Sequence, residues 1–340
     1  MITNKRSRIV AIAALISAGA IALSGCSSSG ANGTSGDDAG SDHPTIRMGY
    51  IADFNGASLL AIADELGLWE EHGLDVKESV FTNGPLQITA LGTNDLDFGY
   101  IGSGAMWLPA SGEAQVAMIN SLGDADRVIA QPGITSIADL KGKKVAVPEG
   151  TSGDMILTMA LKREGLTIDD VEKVAMDPAT AVSAFASGQV DAAGIWFPLI
   201  DTIQGQVPDL EILASNEDFA DEVAFTSAIV ANPAFTEEHP EATEAVIAVL
   251  REAMDYRVEN LDEAVSLTAA MLKGDEAAFA TDAANAKYLT SAELDSYTED
   301  GTVETWLTSL NDYFVSAGKL QQAEPVSSYY LGDAFVAAGK

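Results

Sequence analysis

Cysteine, histidine and basic side chains are all scarce in this chain. Its one cysteine, Cys26, leaves no pair for an intrachain disulfide. The three histidines, His43, His72 and His239, show no His-x-x-x-His spacing, and there is no Cys-x-x-Cys pair. The familiar metal motifs are therefore excluded. Lys and Arg number 18 against 51 Asp and Glu, a formal net charge of −33. So acidic a surface is repelled by nucleic acid and anionic lipid, which excludes those partners for the folded body. Gly102-Ser103-Gly104 lacks the Gly-x-Ser-x-Gly form of a nucleophile elbow. Gly150-Thr151-Ser152-Gly153 has no following Lys-Ser/Thr and is not a phosphate-binding loop. The expectation is a protein that is not an enzyme and needs no cofactor. Nothing after Leu23 approaches the ~18 consecutive apolar residues of a membrane span.

What is present begins at the N-terminus. Lys5, Arg6 and Arg8 precede an apolar run from Ile9 to Leu23, which ends at Leu23-Ser24-Gly25-Cys26. A basic segment, a short apolar segment and small residues are the pattern of a secretory signal, expected over residues 1–25. Leu-Ser-Gly-Cys resembles the bacterial lipobox, which implies lipidation at Cys26; the alternative is a secreted protein with an incidental cysteine. Without the signal the chain keeps 15 basic against 51 acidic residues, a net charge of −36. Residues 26–44 contain almost no large apolar side chain and are expected to be a flexible tether. A chain of ~18 such residues reaches about 20–25 Å. The remainder is too long for one compact core, so two lobes are expected.

The body alternates short strands and helices. Strands are expected at Ile46 to Ile51, from Leu74, at Leu96 to Tyr100 and at Ala114 to Ile119. Helices are expected at 57–66, at 84–91 and from Ser103. The pattern restarts with strands at 144–147, 171–176 and 190–195, helices ending at Gly165 and covering 179–187, and one after Pro198. Such alternation predicts βαβ units and mainly parallel sheets. Beyond about 235 only helices are expected, at 261–272, 275–286 and 303–317 after a stripe of Val246, Val249, Leu250, Ala253 and Met254.

Several ordered stretches are similar to a known family. They are Met48-Gly49-Tyr50, then Glu65-Leu66-Gly67-Leu68-Trp69-Glu70-Glu71-His72-Gly73-Leu74-Asp75-Val76, and Asn94 to Ser103. Asp139 to Val147 and Ala186 to Pro198 continue the likeness. Together they resemble the taurine, nitrate and alkanesulfonate substrate-binding proteins of ABC importers, the SsuA/THI5-like superfamily. Tyr288-Leu289-Thr290 and Tyr313 to Leu320 look most like its taurine-binding branch. The resemblance implies a periplasmic-binding-protein type II fold: two α/β lobes, two hinge crossovers near 120–130 and 225–233, and a helical C-terminal third. Lobe 1 is expected from 45–125 and 230–340, lobe 2 from 126–229. It further implies a small-molecule solute, ABC permease and ATPase partners, and a monomer held outside the cytoplasm by its lipid anchor. Taurine or a related amino- or alkanesulfonate ranks first. Another amine-bearing solute, a pyrimidine precursor, or a lipoprotein sensor that does not transport are the alternatives.

In such folds solutes sit beyond the carboxyl ends of strands, where helix N-termini face the crevice. The candidate residues at those junctions are Asp53 and Asn55, Asn83, Ser103, and Thr151, Ser152 and Asp154. Each also suits an ordinary helix cap. Trp196 and Phe197 end a strand and offer a flat aromatic cover. No arginine falls on a junction, so a bidentate clamp is not expected. The taurine-like pattern implies an amine-binding aspartate in the strand Phe225 to Ile229, where this chain has Ser227.

Overall fold

The computed structural model describes residues 45–340; the expected signal peptide (1–25), lipidation site (Cys26) and tether (26–44) lie outside the described residues. Eleven strands form two sheets. The first holds β1 (Thr45–Ile51), β2 (Asp75–Phe81), β3 (Phe98–Ile101), β4 (Gln115–Gly123), β10 (Thr226–Ala231) and β11 (Ala286–Tyr288), in the order β11-β4-β10-β3-β1-β2. The second holds β5 (Asp126–Ala130), β6 (Lys144–Val147), β7 (Glu172–Ala175), β8 (Ala192–Trp196) and β9 (Glu211–Ser215), in the order β7-β6-β8-β5-β9.

Local signals explain the elements that carry the site. The helix Phe54–Leu66 starts where Asp53 accepts the Gly56 N–H, and it stops at Gly67, whose φ of 69° lies in the left-handed region. The helix Gly84–Gly92 is capped by Asn83, which accepts from Leu86 N, and has Pro85 in its first turn. The helix expected from Ser103 is instead a 3-10 turn, Ser103–Ala105, followed by the short helix Trp107–Ala110. Pro109 has no N–H to offer the Ala105 carbonyl, so one continuous α-helix cannot run through this segment.

The sheets are mixed rather than mainly parallel. β1 pairs in parallel with β2 and β3, and β6 with β7 and β8, as the βαβ pattern requires. The pairings of β10 with β3 and β4, β11 with β4, and β5 with β8 and β9 are antiparallel. These arise where the chain passes between sheets. It leaves the first through Gly123 to Asp126 and returns between Phe219 and Thr226. The second passage therefore precedes the expected 225–233, because all six residues of β10 are buried in the interior of the first sheet. The two passages adjoin: Gly123 N–H donates to Phe225 O at 2.7 Å.

Helices cover both sheets, with cores around Phe54, Leu60, Ile62 and Phe98 in one half and Phe185, Ala193 and Ile195 in the other. The helix Pro240–Glu259 buries the expected stripe Val246, Val249, Leu250, Ala253 and Met254, and packs on β4 and on the helix Phe54–Leu66. The C-terminal third also reaches the second half, where the Tyr313 hydroxyl donates to Met155 O at 3.3 Å. The halves meet backbone to backbone at Gly104. A Cβ there would lie 2.0 Å from the Thr151 carbonyl carbon, so only glycine permits this backbone-to-backbone contact.

Candidate functional site

A cavity of about 60 Å³ lies between the sheets, at the ends of β1, β3 and β8 and beside both passages. Its first-sheet wall carries Asp53, Asn55, Tyr100, Ser121 and Ser227; its second-sheet wall carries Thr151, Ser152, Trp196 and Phe197. Asp126, just past the first passage, closes one end, and Asn83 and Ser103 also reach the cavity. Sites for drug-sized molecules run to roughly 300–1,000 Å³, so this one suits a small solute.

The junction candidates divide once their hydrogen bonds are followed. Asp53 and Asn83 both cap their own helices, at 2.7 Å to Gly56 N and 3.0 Å to Leu86 N. Thr151 does not cap: its hydroxyl donates to Pro148 O at 2.6 Å, and among the described residues no side chain takes the first N–H groups of the helix Ser152–Arg163. Asp154 is the expected residue that the structure places elsewhere. It lies one turn along that helix, accepts the Gly150 N–H and pairs with Lys173 at 2.8 Å, in a neighbouring cavity beyond the Gly104 contact.

Two carboxylates face the cavity and no lysine, arginine or histidine lines it. Burial pushes the Asp53 carboxyl up to about 7, against its bond from Gly56 and with the Asp126 charge adding to the rise. Burial also raises Asp126, opposed by neighbouring Ser152 and Asn216. Asn216 holds Asp126 from both sides, accepting its N–H at 2.7 Å and donating to Oδ2 at 3.1 Å. Among the described residues Asp126 Oδ1 has no hydrogen-bond partner. Behind the cavity Asp282 accepts the Phe54 N–H at 2.7 Å and is held well above the usual carboxylate range, by burial and then by Asp53. Desolvation disfavours the charged form of each acid, and a cationic ligand would restore it.

A polar network supports the first wall. β4 and β10 fall out of step at Asn120: Ser227 pairs with Ser121 but Ala228 with Ile119. Such a bulge re-aims side chains, and here Asn120 and Ser121 both reach the helix Phe54–Leu66. Asn120 Nδ2 donates to Asn55 O at 3.0 Å and to Ser227 Oγ at 3.2 Å. Ser121 Oγ lies 2.8 Å from Ser227 Oγ and 3.0 Å from Asn55 Oδ1. Arg257, wholly buried, donates to Asn120 Oδ1 at 2.9 Å, Asn120 O at 2.8 Å and Ser58 Oγ at 3.1 Å. Its guanidinium lies 4.4 Å from the Tyr288 ring centre, and burial lowers it to about 10.

Tyr100, Ser121 and Asp126, and behind them Asn120, Arg257 and Asp282, were not foreseen from the sequence. The one available signal is Asn120-Ser121, a polar pair that follows the apolar run Val116 to Ile119. Among the described residues no group of three or more His, Cys, Asp or Glu could hold a metal ion.

The family described as NMT1/THI5 like matches residues 56–264. A Brucella abortus (strain 2308) protein named only as a binding protein is 54% identical over 296 residues, covering 87% of this chain and 93% of that protein. A Bacillus subtilis (strain 168) protein named for binding aliphatic sulfonates is 31% identical over 257 residues, covering 72% and 73% of the two chains. Among solved structures, the alkanesulfonate-binding protein SsuA from Xanthomonas axonopodis pv. citri, bound to MOPS, superposes with a TM-score of 0.67. At 21% identity, over 85% of this chain and 98% of that one, it speaks for the fold alone.

Proposed function

The chain belongs to the NMT1/THI5-like family, and from that premise we propose that it is the solute-binding receptor of an ABC importer, taking a small amine-bearing solute. The observation that carries the ligand class is the cavity wall: two buried carboxylates, Asp53 and Asp126, and no basic side chain. An ammonium group between them replaces the water each acid loses on burial. A solute that is only an anion finds no counter-charge there. Within the sulfonates this favours taurine and related aminosulfonates over plain alkanesulfonates. Asp53 and Asp126 would then do the work expected of an aspartate at position 227.

The aromatic cover favours a second reading. Trp196, Phe197, Tyr100 and Phe225 all line the cavity, which suits a flat amine-bearing heterocycle such as a pyrimidine precursor. In either case the halves, 45–125 with 226–340 and 126–225, act as lobes that close on the solute, the second ending short of the expected 229 because β10 belongs to the first sheet. Its partners are the permease and ATPase subunits, it works as a monomer outside the cytoplasm, and Cys26 carries the lipid anchor.

A thermal-shift series with taurine, ethanesulfonate, small amines and aminopyrimidines tests the reading. A ligand at 100 times its Kd stabilises by about 2.7 kcal/mol. A raised midpoint with amine-bearing solutes is expected. A rise confined to ethanesulfonate would overturn the carboxylate argument, and a flat series would remove the receptor assignment.

A further inference from the structure

The network behind the first wall has a direction, and Arg257 starts it. A guanidinium can only donate. Its contact with Asn120 Oδ1 therefore fixes that carboxamide, and the second contact, to Asn120 O, holds the backbone beside it. Asn120 Nδ2 must then face Asn55 O and Ser227 Oγ, as observed. Ser227 thus accepts from Asn120. The Ser227 proton fills the contact with Ser121 Oγ, 2.8 Å away, because the Ser121 proton goes to Asn55 Oδ1, which can only accept. Ser121, now an acceptor, turns its own proton to Asn55 Oδ1 at 3.0 Å.

We propose that this relay, polarised by Arg257, presents the Asn55 Nδ2 donors to the cavity, so the site selects solutes bearing a hydrogen-bond-accepting acid group alongside their ammonium. The inference rests on reading the cavity as the solute site. Asn55 lines the cavity, and among the described residues no protein acceptor takes its Nδ2. The carboxylates Asp53 and Asp126 then meet the positive end of the solute and the Asn55 amide meets the acid oxygen. Discrimination follows from desolvation: a solute without the acid leaves the amide donors buried and unpaired. Asn55 and Ser121 are specificity residues in this account, and Arg257 and Asn120 are positioning residues.

A neutron structure of the deuterated protein tests the relay without any ligand. Deuterons are expected on Ser227 toward Ser121, on Ser121 toward Asn55 Oδ1, and on Asn55 Nδ2 toward the cavity. A map with Asn55 Oδ1 facing the cavity would overturn the proposal. The affinity ratio of taurine to ethylamine tests the consequence. Asn55→Asp, which exchanges the donor for an acceptor of the same shape, should lower that ratio at least tenfold; an unchanged ratio in a folded variant would also overturn it. If the unmodified protein binds no amine, the receptor reading fails, while the neutron map still decides the direction of the relay.

Discussion

The two walls of the cavity are built on opposite principles. On the first sheet the cavity groups are tied into a fully buried network: Asn55, Ser121 and Ser227 bond one another and are backed by Asn120 and Arg257. On the second sheet the wall is two aromatic rings and a helix start that no side chain caps. A buried network of mutual hydrogen bonds resists displacement, because moving one member unpairs its neighbours. An aromatic face tolerates sliding. The first wall thus has the character of a template and the second of a cover, a contrast that the proposed closure on a solute would use.

Breaking the template should cost most. Arg257→Met leaves Asn120 O and Oδ1 and Ser58 Oγ without their donor, and each lost partner of a buried acceptor costs about 1–3 kcal/mol. A loss of about 3 kcal/mol in unfolding free energy is expected, read by chemical denaturation. Stability within experimental error of the parent would mean that the network is not the rigid part.

The contact between halves comes next. Gly104→Val drives side-chain atoms into the Thr151 backbone, and overpacking of this kind costs roughly 1–3 kcal/mol. If it falls on closure, solute affinity drops about tenfold or more while denaturation is unchanged and X-ray scattering shows a larger radius of gyration. Loss of stability at constant radius would instead make Gly104 an ordinary packing position. For the cover itself, Trp196→Ala should weaken binding by about 2 kcal/mol, roughly 30-fold, in a calorimetric titration. A smaller loss than at Asn55 would weaken the assignment of the ring to the solute.

Titration sharpens the same contrast, since the cavity acids sit on the template side and at the passage. Asp53 is raised to about 7, so the folded protein holds more protons than the unfolded chain between the ordinary carboxylate range and pH 7. Its contribution to stability is greatest at acid pH and is lost as pH rises through about 7. Binding runs the other way. An ammonium favours the carboxylate and expels the proton, so affinity should rise about tenfold from pH 6 to 8, then level off. Asp53→Asn should flatten the profile; a slope that survives would move the linkage to Asp126. The smallest effect is expected at Asp154, whose bonds to Gly150 and Lys173 lie outside the cavity. Asp154→Asn should leave affinity within about twofold.

How much of this was legible in the sequence depended on chain distance. The strand Lys144–Val147 and the helix Leu261–Leu272 stand where apolar spacing put them. Asp53, Ser103, Thr151 and Trp196 were reachable because a strand end before a helix is a local pattern that also fixes a place in the fold. β5 and β9 were missed because five-residue antiparallel strands beside the passages carry no periodicity of their own. Arg257 was dismissed as lying off every junction, and so it does. Only the return of the helix Pro240–Glu259 brings it against Asn120, 137 residues earlier in the chain. Asp154 misled for the opposite reason: its position in the sequence is right for the cavity, but its side chain turns back to its own loop.

The bulge at Asn120 has a mechanical consequence. β4 carries Asn120 and Ser121 and ends at Gly123, and Asp126 follows only three residues later. The groups proposed to meet the solute and the backbone about which the proposed closure would turn therefore occupy the same short stretch of chain, with Phe225 O of the other passage fastened to it at Gly123. A load applied so close to a pivot acts through a short arm, and the distant rim of the second sheet travels furthest. In the proposed closure, small displacements at Ser121 or Asp126 would thus be geared up into large ones at the edge of the molecule.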